Sequence, residues 1–207
     1  MIALGDSHID IYKPFATTLC LVGGASAYGL HNKESITKAL TIFTNFLTPQ
    51  SPDYVISMLG EVDCNTIAWT LSQGDKSWEG IIDTSITRYI NFIKQFSFKF
   101  IISSVPLSPV ERFDKLPFLT PTSPRRSVKW DRSKRAQVVN YFNSKMKKLC
   151  IMNNIYFLDF TKETTNDSGL LNMNYAISHK DVHLDRLKMK PILTTKLKEA
   201  KVFYERS

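Results

Sequence analysis

Five short apolar runs, separated for the most part by stretches of helical period, constrain the fold of this sequence more than any other feature. They cover residues 1–4, 18–22, 53–59, 98–105 and 155–159. The first ends in Gly5-Asp6-Ser7, the second in Gly23-Gly24, and the third runs into Gly60-Glu61-Val62-Asp63-Cys64-Asn65. The run over 98–105 is apolar almost throughout, as a central parallel strand covered on both faces must be. Between the runs, Ile36, Ala39, Leu40, Phe43 and Leu47 recur at helical spacing over 33–46, and Pro49 and Pro52 end that helix. A second helix is predicted over 78–96, with Ile81, Ile82, Ile86, Tyr89, Ile90 and Ile93 on one side, and a basic one over 132–152. A closing helix carries the last lysines. The pattern predicts an α/β chain: a three-layer αβα sandwich with a five-stranded parallel sheet, flavodoxin-like, in one domain over 1–207.

In such a sheet, ligands sit beyond the carboxyl ends of the strands. Ser7, Gly24, the turn at 60–63 and the segment after the fifth strand share that rim. Residues far apart in sequence can therefore form one site.

Composition narrows the classes. Of 207 residues, 43% are hydrophobic and 22% charged, close to a globular average, and no apolar run approaches the length of a membrane span. The apolar start is too short for a secretion signal, and three widely spaced cysteines without a CxxC pair point to reduced thiols. A cytoplasmic setting is expected, with no membrane partner. The formal charge of +8 gathers in two places. Arg125, Arg126, Lys129, Arg132, Lys134 and Arg135 form one cluster; Lys188, Lys190, Lys196, Lys198 and Lys201 form the other. Both read most simply as a solvated loop and a solvated helix face. Aromatic residues are not interleaved with them as stacking platforms, so no nucleic-acid partner is expected. The segment 106–130, with five prolines and no clear period, is long for a loop in a compact domain and is expected to be functional or mobile, a lid over the site.

The residue types at the rim indicate nucleophilic chemistry. A serine hydroxyl is a poor nucleophile at neutral pH unless a base takes its proton, and histidine has a suitable pKa. His183, in the last loop just before a helix, is the best placed of four histidines to reach Ser7. A carboxylate should then hold its other ring nitrogen. His8 adjoins Ser7 and is expected to point away from it; His31 and His179 have no assigned role.

Gly5-Asp6-Ser7, Gly24, Gly60-Glu61-Val62-Asp63 and Asp181-Val182-His183-Leu184 occur in the order of the four sequence blocks of SGNH/GDSL hydrolases, and the chain resembles that family over residues 1–187. The resemblance implies Ser7 as nucleophile, His183 as general base, and the backbone N–H groups of Ser7 and Gly24 as oxyanion-hole donors. It implies an esterase acting on a small acyl ester such as an O-acetylated sugar, with no cofactor and no metal. Asp6, Glu61, Asp63, Arg125 and Arg126 are expected to face the substrate, the arginines meeting an anionic sugar, a phosphate or coenzyme A. For Glu61 and Asp63 a turn cap or an ion pair is the alternative use.

Two positions depart from the family. Its third block reads Gly-x-Asn-Asp, and Val62 replaces the asparagine that donates to the oxyanion. Losing one such donor costs about 3 kcal/mol in the transition state, and Asn65 is the candidate replacement. The family places its acid three residues before the histidine, where this chain has Lys180; Asp181 falls two before. Asp181 orients His183 only if the loop adapts, and the alternative is a Ser7–His183 dyad.

Three other functions use the same residues. A sugar hydroxyl accepting the acyl group would make a carbohydrate O-acyltransferase. The segments Asp6-Ser7-His8-Ile9-Asp10 and Asp181-Val182-His183-Leu184-Asp185 both read Asp-x-His-x-Asp and could hold divalent ions, and the turn at 60–63 resembles that of calcineurin-like metallophosphoesterases. Against that, Gly-Asn-His and Gly-His-x-His are missing. A degenerate domain that binds glycan without turnover is the third.

Overall fold

A computed structural model of the protein describes residues 1–117 and 119–200; Lys201 of the second lysine cluster lies outside them. Five strands, β1 (Ile2–Gly5), β2 (Thr18–Leu21), β3 (Tyr54–Met58), β4 (Lys99–Ser103) and β5 (Tyr156–Leu158), form one sheet of order β2-β1-β3-β4-β5. Every pairing is parallel. Helices α1 (Ala39–Leu47), α2 (Ala68–Leu71), α3 (Trp78–Ile93), α4 (Arg132–Met152), α5 (Thr161–Thr164) and α6 (Arg186–Glu199) fill the connections.

The three inner strands are buried on both faces, while the edge strands β2 and β5 are partly exposed. This is the burial signature of a sheet with helices on either side. The apolar stripe of α3 (Ile82, Ile86, Tyr89, Ile90) and that of α4 (Val138, Val139, Phe142, Met146) join one core with Leu4, Ile56 and Ile102. Each large aliphatic side chain so buried contributes about 1.5–3 kcal/mol.

Local chemistry explains the helix ends. The Asp131 carboxylate accepts the N–H of Lys134, and Ser77 accepts that of Gly80, so α4 and α3 begin where these caps stand. The helix expected over 33–46 starts only at Ala39. Lys38 sits in the left-handed region at φ 49°, which no helix passes through, and Ile36 is fully exposed rather than core-facing.

Register places the functional rim. Gly5 lies level with both Leu21 and Met58, so the chain leaves β1, β2 and β3 side by side. A Cβ on Gly5 would stand 2.1 Å from the Met58 carbonyl oxygen, so only glycine permits this approach. Gly60, at φ 127°, turns under Phe142 and Val105, whose atoms a Cβ would meet at 2.6 and 2.7 Å.

The 106–130 segment, expected as a lid over the site, carries packing of its own, and its arginines are engaged rather than solvated. Val110, Phe113, Leu116 and Val128 form a small second core with Val182. The arginines bind the segment's carbonyls. Arg135, 1% exposed, donates to the carbonyls of Trp130, Val110 and Glu111. Arg126 donates to those of Asp114, Leu116 and Leu119, and Arg132 to those of Ser108 and Leu171. A proline-rich path leaves many carbonyls without strand or helix partners, and guanidinium groups with five donors each supply them. In the second cluster Lys188, Lys190 and Lys198 are exposed, while Lys196 pairs with Glu163 at 2.7 Å.

Candidate active site

Asp6 ends β1 with its carboxylate accepting the N–H of His8 at 2.9 Å, which caps a 3-10 helix over Ser7–Tyr12. Ser7 is thus the first residue of that helix, half-buried at the strand end. The last loop brings His183 to it: Nε2 lies 2.9 Å from the Ser7 Oγ. The other ring nitrogen, Nδ1, lies 2.6 Å from Asp181 Oδ1, and the same oxygen accepts the backbone N–H of His183 at 2.9 Å. A carboxylate only accepts, so Nδ1 carries the proton and Nε2 is left to accept from the serine hydroxyl.

The two-residue spacing works because it closes an Asx turn. A carboxylate two residues before a backbone N–H folds back onto it, and here that fold carries Oδ1 to the imidazole as well. Asp181 and His183 side chains are each 33% exposed. The Asp181 carboxyl is held below its ordinary range: burial works against this, but both bonds from His183 outweigh it. His183 is held below the ordinary histidine value, first by burial and then by the charge of His8, with Asp181 opposing.

Beneath this line lies a second, dry polar layer. The His8 side chain, expected to point away from Ser7, turns inward beside the base. It is 3% exposed, its ring centroid is 4.6 Å from that of His183 at an interplanar angle of 34°, and it borders the same cleft as Ser7. Successive residues of a 3-10 helix are rotated by about 120°, not the 180° of a strand, so His8 can share a side with Ser7. Its Nε2 stands 3.5 Å from Glu61 Oε2, and neither ring nitrogen has a hydrogen-bond partner. Glu61 in turn receives both arms of Arg125, at 3.1 and 2.6 Å.

These contacts correct the expected substrate set. Asp6, Glu61 and Asp63 are buried at 0%, 3% and 0%, too deep to meet a ligand. Asp63 accepts the backbone N–H groups of Ala27 and Tyr28, both at 2.8 Å, and so fixes the loop carrying Gly24. Burial raises its carboxyl above the ordinary range against those bonds. Burial also pushes Asp6 up to about 7, with His8 working against the shift and Glu61 adding to it. Glu61 is driven the other way: burial opposes its charge, but Arg125 and His8 win and lower it. Arg125 is committed to Glu61 and Arg126 to carbonyls, so neither is a free anion receptor.

Asn65 is also misplaced as an oxyanion donor. It is fully buried in the π-helical turn Asp63–Ile67, and its amide donates to the Glu61 carbonyl at 3.2 Å. Val62 itself borders a cleft with Gly24, Thr66, Ile67, Pro124 and Arg125 and, being apolar, donates nothing from the position where the family has asparagine. Ser7 itself borders a separate cleft of ≈ 530 Å³, lined also by Ile11, Leu21, Ile177, His183 and Leu187.

The metal-dependent alternative has no ligand set. Among the described residues no three His, Cys, Asp or Glu side chains are arranged to hold an ion. Asp10 pairs with Arg186 at 3.2 Å and Asp185 caps α6, which engages both Asp-x-His-x-Asp segments. His31 and His179 are exposed. No helix among the described residues is long and apolar enough to cross a membrane.

No protein-family model matches the sequence, and no curated protein matches it. Solved structures do match in shape. A Bacteroides fragilis protein assigned as an acylhydrolase superposes with TM-score 0.63 at 16% identity, over 96% of this chain and 84% of its own. A GDSL-like lipase from Bacteroides thetaiotaomicron gives 0.59 at 16% identity, over 96% and 85%. A carbohydrate acetylesterase family member from Sinorhizobium meliloti gives 0.52 at 15% identity, over 95% and 99%. Strand order, the block positions and these superpositions agree: the chain has the fold of the SGNH/GDSL hydrolases.

Proposed function

We propose that the protein is a serine ester hydrolase in which Ser7 is the nucleophile, His183 the general base and Asp181 the residue that orients it. The observation that carries this reading is the continuous line Asp181 Oδ1–His183 Nδ1 at 2.6 Å and His183 Nε2–Ser7 Oγ at 2.9 Å. The Ser7 hydroxyl proton passes to Nε2 as Oγ attacks the ester carbonyl carbon, and the carbonyl pair moves onto oxygen. The N–H groups of Ser7 and Gly24 receive that oxyanion. Collapse breaks the bond to the alcohol oxygen, which takes the proton from His183. Water, deprotonated by the same histidine, then releases the acid and restores Ser7.

The substrate we propose is a small acyl ester of a carbohydrate, supported by the likeness to the Sinorhizobium meliloti protein. With two backbone donors and an apolar Val62, the hole is weaker by about 3 kcal/mol than one with a third donor. Turnover of p-nitrophenyl acetate and of acetylated sugars by the wild type, Ser7→Ala and His183→Ala, with and without chelator, tests this. Activity that resists chelation and disappears in both variants is expected; activity that survives Ser7→Ala overturns it.

A further inference from the structure

We propose that His8 is a positioning residue for His183, its ring set between Glu61, which Arg125 holds, and the imidazole of His183, so that it supports the plane of the base and tunes its proton affinity. The inference rests on the hydrolase reading above. Four observations carry it. His8 is 3% exposed yet neither ring nitrogen has a hydrogen-bond partner, an arrangement that burial alone does not favour. Its ring packs against that of His183 at 4.6 Å. Its Nε2 faces Glu61 at 3.5 Å, and Glu61 is itself 3% exposed. Arg125, reaching in from the 106–130 segment, locks Glu61 from the far side with two bonds.

The charges around His8 come from every neighbouring element. Asp6 lies just after β1, Glu61 on the turn after β3, Arg125 on the 106–130 segment, and Asp181 and His183 on the last loop. On the outer side of the same 3-10 helix, Asp10 and Arg186 neutralise each other. Burial opposes a charge on His8, but Glu61 and Asp6 outweigh it and Arg125 only partly cancels them, so His8 is held above the ordinary histidine value. When His8 is protonated, its charge disfavours the imidazolium form of His183. The base therefore stays unprotonated, and able to accept from Ser7, into more acidic solution than an isolated imidazole. The carboxylate of Asp181 pulls in the opposite direction, toward a protonated ring. His8 offsets that pull without breaking the bond that orients the base.

The test follows the ring signals of His8 and His183 by NMR through a pH titration, alongside the pH profile of kcat/KM. In His8→Phe, which keeps a ring and removes the charge, the His183 midpoint and the acid limb of the profile both move to higher pH. Activity at pH 6 relative to pH 8 falls several-fold. His8→Ala removes the ring too and further lowers kcat at pH 8, with KM changed by no more than about two-fold. Glu61→Gln brings the His8 midpoint down. An unmoved His183 midpoint in His8→Phe overturns the proposal. A purely structural His8 would change the melting temperature and leave that midpoint in place. The NMR readout does not depend on turnover, so activity that survives Ser7→Ala would refute the hydrolase reading while still reporting on His8.

Discussion

The line Ser7–His183–Asp181 and the layer beneath it, Asp6, His8, Glu61, Asp63 and Arg125, are both clusters of polar side chains at the end of one sheet, but they differ in their access to water. The upper line is about one-third exposed and has the hydrogen bonds of a proton relay. The lower layer is almost dry, and burial and its neighbours push the carboxyls of Asp6 and Glu61 in opposite directions from their ordinary range. A relay must be reached by an ester and water, so it cannot be buried; a scaffold for that relay gains rigidity from burial, provided its charges pair. The same residue types therefore do different work a few ångströms apart.

Substitutions separate the two layers. The largest effect is expected for Ser7→Ala, which should cut kcat/KM on p-nitrophenyl acetate by on the order of 10⁴-fold or more while leaving the urea midpoint in place. Next comes Asp181→Asn, with a loss of about 10²–10⁴-fold in kcat, because the amide cannot hold the Nδ1 proton in the same way. A loss under ten-fold would show that His183 works without its acid, as a dyad. Arg135→Met takes three bonds from the carbonyls under the 106–130 segment and should lower unfolding stability by roughly 3 kcal/mol in urea. Its activity per folded molecule should be kept.

Asp6→Asn gives the smallest and most diagnostic change. A carboxyl raised to about 7 when folded contributes stability below its free value of 3.8 and loses that contribution as pH rises through the folded value. The asparagine variant does not titrate. Its melting temperature relative to wild type should accordingly be higher at about pH 8.5 than at about pH 5; a pH-independent difference would show that Asp6 does not gain a proton in the folded state.

Much of the architecture was legible in the residues. Apolar runs and helical periods placed all five strands and three long helices, and the basic helix expected over 132–152 is α4. The late start of α1 was not legible, since a single lysine in the left-handed region leaves no trace in periodicity. Ser7 and His183 could be paired from their positions on the rim. Asp181 could not be placed with equal assurance, because spacing alone does not say that its carboxylate folds back through an Asx turn. His8 was misjudged because direction in a 3-10 turn depends on a cap, here Asp6, rather than on alternation. Arg125, Glu61 and Asp63 were recognisable as charges but not as partners, since those partners lie 64, 64 and 36 residues away.

Those separations have a consequence for how activity appears during folding. Ser7 and His183 are 176 residues apart, so the bond between them closes nearly the whole chain. Contacts of that span follow the closure of smaller loops and carry the largest ordering entropy. On refolding from urea, helical signal should return first and ester cleavage last. The rate at which activity recovers is then a clock for the final closure of the chain ends onto one sheet.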